Sequence, residues 1–176
     1  RLDLLTKYFK TLTPLHTFQA REDDPEDFDE QTAFLNYKGK MGVCLGGTGS
    51  GKTIAAAVKT ARYVLNTPPP RKFTPFWIVG DTFEQVCNVC WNEKLSTLIP
   101  GDEILGIDWY KQQLNWPFAV VLRHPEKRDE PGWVLQFKSY SQGRRHMQGA
   151  SIGGAWFNEE CPIHIVEEVM GRTRDY

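Results

Sequence analysis

The chain has 176 residues, enough for one domain with a real core. With 40% hydrophobic and 24% charged residues it reads as globular, and a net charge of −1 excludes a global field that would capture nucleic acid. No apolar run reaches the length of about eighteen residues that would mark a membrane helix, and the charges inside RLDLLTKYFK exclude a signal peptide. Nothing suggests secretion, so Cys44, Cys87, Cys90 and Cys161 are expected as reduced thiols in a cytoplasm.

In chain order, Leu2, Leu4, Leu5, Tyr8, Phe9 and Leu12 lie at helical spacing and predict an amphipathic helix ending near Pro14, for core packing or for docking to a neighbouring subunit. REDDPEDFDE (21–30) carries seven acidic side chains and reads as a solvated loop. A short helix should follow through Ala33, Phe34 and Leu35. Gln31 stands about twenty residues before a glycine-rich turn, where an amide can read an adenine edge in bidentate fashion; a surface glutamine is the alternative.

MGVCLGGTGSGKT (41–53) predicts a strand over residues 43–45, a glycine-rich turn and the start of a helix. Gly46, Gly51, Lys52 and Thr53 fill G-x-x-x-x-G-K-[ST], the phosphate-binding loop of many nucleotidases. Gly46, Gly47, Gly49 and Gly51 supply bare backbone whose N–H groups can cradle a polyphosphate, with Thr48 and Ser50 between them. The helix turns its N-terminal donors and positive dipole end to the same place. Lys52 is expected to reach the β- and γ-phosphates and the Thr53 hydroxyl to ligate Mg²⁺.

That helix should run over 51–66 and stop at Pro68, Pro69 and Pro70. A strand is expected over 76–79. A helix over 82–98 follows, with Phe83, Val86, Val89, Cys90, Leu95 and Leu98 supplying most of its apolar side. Cys87 and Cys90 form a lone C-x-x-C without a second pair at zinc-finger spacing, so they are read as core residues. Strands over 118–122 and 133–137 flank a charged linker with a proline near each end, the signature of an exposed hairpin tip. Arg144 and Arg145 sit between glycines. A strand over 153–157 then ends in Asn158, Glu159 and Glu160, and a helix is expected from Pro162 to Met170. An apolar strand running into acids, C-terminal to a phosphate loop, describes a Walker-B strand, in which one side chain holds Mg²⁺ through its water and the next, a glutamate, polarises the attacking water.

With these residues in view, the chain resembles the ATPase domain of the large terminase subunits, the DNA-packaging motors of tailed phages. FDEQTAFLN, GGTGSGKT, FKSYSQGRRHMQGASIGGAWFNEE and CPIHIVEEVMGRTRDY carry the resemblance, in the expected order, between residues 28 and 176. The resemblance implies an α/β P-loop NTPase of the additional-strand, catalytic-glutamate type, with a mainly parallel sheet flanked by helices. One ATPase domain is expected over 1–176: an N-terminal helix and acidic loop over 1–27 and the core over 28–176, cut before the coupling motif. The implied cofactors are ATP and Mg²⁺. The implied partners are duplex DNA, the portal and the small terminase subunit, with ring assembly in the motor, a monomer when isolated, and no membrane. The implied location is the host cytoplasm, docked on the procapsid. The family's Walker-B acid falls on Asn158, which would hold Mg²⁺ through water, and Glu159 becomes the catalytic glutamate. The arginine that many members carry inside the loop is replaced here by Gly47 and Thr48, leaving Arg144 or Arg145 as candidates to act on a neighbour's ATP. No nuclease activity is expected. A helicase-type ring ATPase and a weakly hydrolysing nucleotide-binding assembly module are the alternative functions.

Overall fold

The structure, a computed structural model, describes Leu15 and residues 30–47, 49–112, 115–143 and 147–173. The N-terminal helix expected before Pro14, Thr48, Arg144 and Arg145 lie outside the described residues. The elements in chain order are α1 (Glu30–Asn36), α2 (Lys52–Asn66), β1 (Thr74–Gly80), the helical segment α3, β2 (Ile104–Trp109), β3 (Pro117–Arg123), β4 (Pro131–Ser139), β5 (Gly154–Phe157) and α4 (Ile163–Gly171). α3 is built from three consecutive stretches, Phe83–Gln85, Val86–Leu95 and Ser96–Leu98.

One five-stranded sheet runs in the order β2-β3-β4-β1-β5. β1 pairs in parallel with β4 on one side and β5 on the other, so that Ile78 faces Phe137 and Trp156. The β2-β3-β4 half is an antiparallel meander. Successive side chains of β1 alternate between faces. Phe76 and Ile78 join Val58, Ala61, Val64, Cys90, Trp91 and Leu135 beneath α2 and α3. Trp77 and Val79 join Met147, Ile152, Ile165 and Val169 on the other face, beneath α4. Helices on both faces of the parallel strands make the α/β layering that the resemblance implied. Entry into β5 needs two glycines: a Cβ on Gly153 would lie 2.3 Å from the Trp133 ring, and one on Gly154 2.7 Å from the Phe76 ring.

Three expectations change. Residues 43–45 do not form a strand: the backbone of 41–47 joins no ladder, and Val43 and Leu45 are 68% and 81% exposed. A strand needs a neighbour, and the glycines at 39, 42, 46 and 47 raise the entropy cost of holding this stretch extended. β2 is an addition to the expected strands, because Gly106 and Asp108 interrupt its apolar alternation; it exists through its antiparallel pairing with β3. Finally, α3 forms, but Val86–Leu95 is wound as a π-helix, with the Ser96 N–H donating back to the Trp91 carbonyl. Cys87 and Trp91 lie in the core beside Val86, Cys90 and Leu95, while Val89 is only half-buried.

Burial pushes the Cys87 thiol up to about 12, and burial, together with the negative charges of Cys87, Glu159 and Glu93, takes Cys90 to about 12. Burial takes Cys161 to about 11. A raised thiol pKa leaves little thiolate, the reactive form, at neutral or mildly basic pH. Iodoacetamide treatment of the native chain at mildly basic pH, followed by peptide mass mapping, should therefore label the half-buried Cys44. Cys87 and Cys90 should react only after unfolding. Equal native labelling of all four would show that α3 does not pack as described.

Candidate functional site

The glycine-rich loop opens onto the N-terminus of α2. Gly49 and Gly51 have φ of 80° and 81°, the left-handed region that a side chain disfavours. A Cβ at Gly47 or Gly49 would meet nothing within 4 Å, so this backbone faces open space. Lys52, the first residue of α2, turns its ammonium back over the loop and donates to the Gly46 and Gly47 carbonyls, 2.6 Å each, and to Ser50 Oγ at 3.3 Å. The cleft at the loop has a volume of about 260 Å³ and is lined by residues 49–54 and by Lys94 of α3. That is slightly below the usual range for a whole small-molecule pocket, about 300–1,000 Å³, and suits a polyphosphate tail.

α1 brings Gln31 to this loop. Its Nε2 donates to the Ser50 carbonyl at 2.9 Å. The short helix is held there by Lys59 of α2, whose ammonium donates to the Phe34 and Tyr37 carbonyls at 2.7 and 2.6 Å and lies 5.1 Å from the Phe34 ring centre. A cation at a helix C-terminus satisfies carbonyls that the helix leaves unpaired. Burial lowers the Lys59 pKa below its ordinary value.

The second part of the site is the end of β5. The Asn158 N–H donates to the Val79 carbonyl at 2.8 Å, continuing the β1–β5 ladder by one step and leaving Asn158 buried. Glu159 follows in the left-handed region with φ 69°, exposed, and its Oε1 accepts from Gln85 Nε2 of α3 at 2.9 Å. Asp81 stands at the end of β1, where its carbonyl accepts from Ser139 Oγ at 2.6 Å. The Tyr140 hydroxyl donates to the Glu160 carbonyl at 3.0 Å. Its pKa is raised first by burial and then by the charges of Asp81, Cys161, Glu159 and Glu160, so this edge is locally electronegative.

The two parts lie at one edge of the sheet. At the far end of α2, the Thr67 carbonyl accepts from Trp133 Nε1, beside the start of β1 and β4. Fifteen helical residues span about 22 Å and seven strand residues about 23 Å, so α2 returns along the full length of β1. Its N-terminus and the loop are thereby carried to the C-terminal edge of the parallel strands, the edge where open α/β sheets bind ligands. The structure joins Gln31, Ser50 and Lys52 in one hydrogen-bonded group, with Gly49, Gly51 and Thr53 on the same cleft. Asn158 and Glu159 do not line that cleft. Asp81, Gln85 and Lys94 complete the surroundings and belong to none of the sequence motifs. Asp81 alone carries a signal in the sequence, since it follows the apolar run of β1 as Asn158 follows that of β5.

A larger cavity of about 380 Å³ lies between residues 150–151 and α4, lined by His164, Glu167, Glu168 and Arg172 among others. Its two glutamates make it a poorer match to a polyphosphate than the glycine-rich loop, and no described residue of that loop lines it. Among the described residues no cluster of three or more His, Cys, Asp or Glu could hold a metal unaided. Mg²⁺ held by phosphate oxygens and one or two protein groups needs no such cluster. No described helix is long and apolar enough to cross a membrane.

Residues 43–174 match the model of the family described as terminase large subunit, T4likevirus-type, N-terminal. The chain belongs to this family. It is similar to the large terminase subunit of Salmonella phage P22, 34% identical over 116 residues that cover 57% of this chain and 23% of that relative. The chain thus spans about a quarter of that relative's length. In fold it is similar to the large terminase ATPase domain of Thermus phage P74-26, with a TM-score of 0.66 at 17% identity over 93% of this chain and 66% of that one. The large terminase of a second, thermophilic bacteriophage gives a TM-score of 0.63 at 13% identity, covering 82% of this chain and 36% of that structure. The α/β P-loop fold follows from these likenesses together with the sheet described above.

The backbone at Glu159 yields a prediction. The left-handed region costs a non-glycine residue about 1–2 kcal/mol. Glycine returns about 0.5–1 kcal/mol of that through its greater unfolded-state entropy. Compared with Glu159→Ala, which equally lacks the Gln85 hydrogen bond, Glu159→Gly should be as stable or more stable by up to about 1.5 kcal/mol, read from urea unfolding midpoints. A lower stability than that of Glu159→Ala would mean that Glu159 is not held in this conformation.

Proposed function

We propose that the chain is a Mg²⁺-dependent ATPase domain of a phage large terminase subunit that drives duplex DNA into the capsid, with residues 28–176 as its catalytic core. The observation that supports this most is the loop itself. Left-handed glycines open its backbone, a lysine is the first residue of α2, and the Asn158–Glu159 strand end lies on the same sheet edge. The residues present fit a polyphosphate: open backbone at Gly47 and Gly49, helix donors at 52–54, and a cation at Lys52 whose present acceptors, two carbonyl oxygens and the Ser50 hydroxyl, stand in for phosphate oxygens.

In this reading Gly46, Gly47, Thr48, Gly49, Ser50 and Gly51 cradle the phosphates, Lys52 neutralises the β- and γ-oxygens, and Gln31 reads the base. Thr53 would hold Mg²⁺ directly and Asn158 would hold it through water. The ion's chemistry, when bound, is to neutralise charge on the transferred phosphoryl group. Glu159 holds and polarises the attacking water. Arg144 or Arg145 acts on the ATP of an adjacent subunit, an effect worth about 10³–10⁵ in rate where such a finger operates. The chain alone is then a weak, monomeric ATPase without nuclease activity. Portal, small subunit and ring assembly supply the motor in the host cytoplasm, docked on the procapsid.

A second reading, a nucleotide-binding assembly module with little turnover, is favoured by one observation: the neutral Asn158 at the Walker-B position, with the phosphate cleft ending short of it.

Two substitutions test the proposal. Hydrogen bonds to charged groups contribute about 1.5–3 kcal/mol, so Lys52→Ala should weaken ATP binding by about ten- to a hundredfold with the fold intact. Calorimetric titration reads this, and equal affinities would remove the loop from the site. Asn158→Asp replaces a neutral dipole with a full charge facing metal-bound water. It should lower the Mg²⁺ concentration for half-maximal hydrolysis by about tenfold and raise turnover under assembling conditions. Superimposed Mg²⁺ titrations would place Asn158 away from the metal, and ATP binding without turnover in both proteins would favour the assembly module.

A further inference from the structure

We propose that Gln85 is a positioning residue for Glu159, fixing the carboxylate against the end of α3 so that one of its oxygens is presented to the attacking water. This rests on the reading of Glu159 given above and adds the residue that orients it. The two side chains are 74 residues apart in sequence and meet at 2.9 Å, Nε2 donating to Oε1. Among the described residues Oε1 is the engaged oxygen of Glu159, which leaves Oε2 to accept a hydrogen bond from water.

Both partners are held from below. Thr82 caps the start of α3: its Oγ1 accepts the Gln85 N–H at 3.2 Å, and its carbonyl accepts the Val86 N–H at 3.1 Å. Val86 sits directly over the end of β1, where a Cβ on Gly80 would come within 2.5 Å of its Cγ2. On the other side, the Asn158 N–H bonded to the Val79 carbonyl fixes the backbone one residue before Glu159. The bond between Gln85 and Glu159 therefore bridges the ends of two adjacent parallel strands. Its length is not free to drift with the surface.

The chemistry suits an orienting role. A glutamate has three side-chain torsions, and an exposed one samples several rotamers. A single donated hydrogen bond selects among them. The donor is an amide, which orients the carboxylate without neutralising it; a lysine or arginine at the same place would form an ion pair and lower the basicity that polarises water. Asp81 and Glu160 stand near the same edge and share the electrostatic surroundings of Tyr140. Repulsion between acids would push an untethered Glu159 outward, and the Gln85 amide opposes that.

The test is hydrolysis under single-turnover conditions, with the chain in excess over radiolabelled Mg-ATP and concentrated with duplex DNA, so that slow chemistry is still measured. ATP affinity is titrated in parallel. Gln85→Met keeps side-chain length and helix propensity and removes the donor. It should slow the hydrolysis step about ten- to a hundredfold, as expected for a displaced catalytic group, and leave ATP affinity unchanged. Gln85→Glu, with an acceptor and a like charge in the same place, should be slower still. In a Glu159→Gln background, Gln85→Met should add no further loss, because the group it orients is gone. If Gln85→Met matches wild type while Glu159→Gln is slow, the positioning role is wrong and the ATPase reading stands. Loss of affinity together with rate, additive with Glu159→Gln, would mark Gln85 as merely structural and overturn the inference. Hydrolysis by Glu159→Gln at the wild-type rate, or none by wild type, would sink the reading of the site itself and the inference with it.

Discussion

Parallel pairing on both flanks of β1 is the constraint on which the rest depends. A strand paired in parallel cannot turn back through a hairpin; its neighbours must be reached by crossing over a face of the sheet. Here the crossings are α3 with the meander on the way to β4, and the 140–153 segment on the way to β5. Each crossing covers apolar β1 side chains, so Ile78 and Val79 are buried on opposite faces. The same directionality puts the ends of β1, β4 and β5 at one edge. Asp81, Ser139 and Asn158 are then neighbours because the strands that carry them point the same way. Ser139 Oγ on the Asp81 carbonyl and the Asn158 N–H on the Val79 carbonyl are the hydrogen bonds that record it.

Much of this was legible in the residues. Phe76, Trp77, Ile78 and Val79 form a continuous apolar run, which is what a strand buried on both faces looks like. The apolar run before Asn158 reads the same way, and Pro68 to Pro70 stop α2 as their chemistry requires. Signals that rest on local chemistry therefore transferred. The departures are places where tertiary partners decide. Residues 43–45 have the composition of a strand, but a strand is a pairing and these residues have none among the described ones. β2 has an indifferent composition and exists because β3 offers it an edge. The winding of α3 was out of reach for a different reason: the buried Val86, Cys87, Cys90, Trp91 and Leu95 also lie on one side at 3.6 residues per turn, so the apolar pattern carries no mark of the i→i+5 winding.

The site divides in the same manner. Glycines, Lys52 and Thr53 could be named because a phosphate cradle needs those residue types at that spacing. The Asn158–Glu159 pair could be named because it ends an apolar strand. Gln85 and Lys94 could not. They come from a helix whose sequence says only that it is helical, and their relevance arises from where α3 begins, against the end of β1, and from how its winding aims its C-terminal half. The separation between the phosphate cleft and Glu159 has a physical counterpart in the unpaired 41–47 segment. The loop is anchored on its C-terminal side by α2, whereas on its N-terminal side no ladder carries it toward the strand ends.

Both halves of the site also satisfy their own polar groups. Lys52 donates to two loop carbonyls and Ser50, and Glu159 accepts from Gln85. A ligand that takes over Lys52 replaces bonds already made, so its gain is the difference between phosphate and carbonyl as acceptors, not the whole strength of the new bonds. That difference favours phosphate because both partners are then charged. It also releases the Gly46 and Gly47 carbonyls to solvent and frees the loop to rearrange around the new anion. In the proposed reading binding energy at this loop is thus coupled to loop geometry, because the lysine assigned to the phosphate is also the group that donates to the loop's own carbonyls. On the β5 side no such exchange is required: Gln85 engages one carboxylate oxygen and leaves the other available. In the proposed reading the loop therefore reorganises to receive its ligand, while the carboxylate is already placed. Pre-organisation lies with the group that must be oriented during chemistry, and adaptability with the group that must first capture a charge.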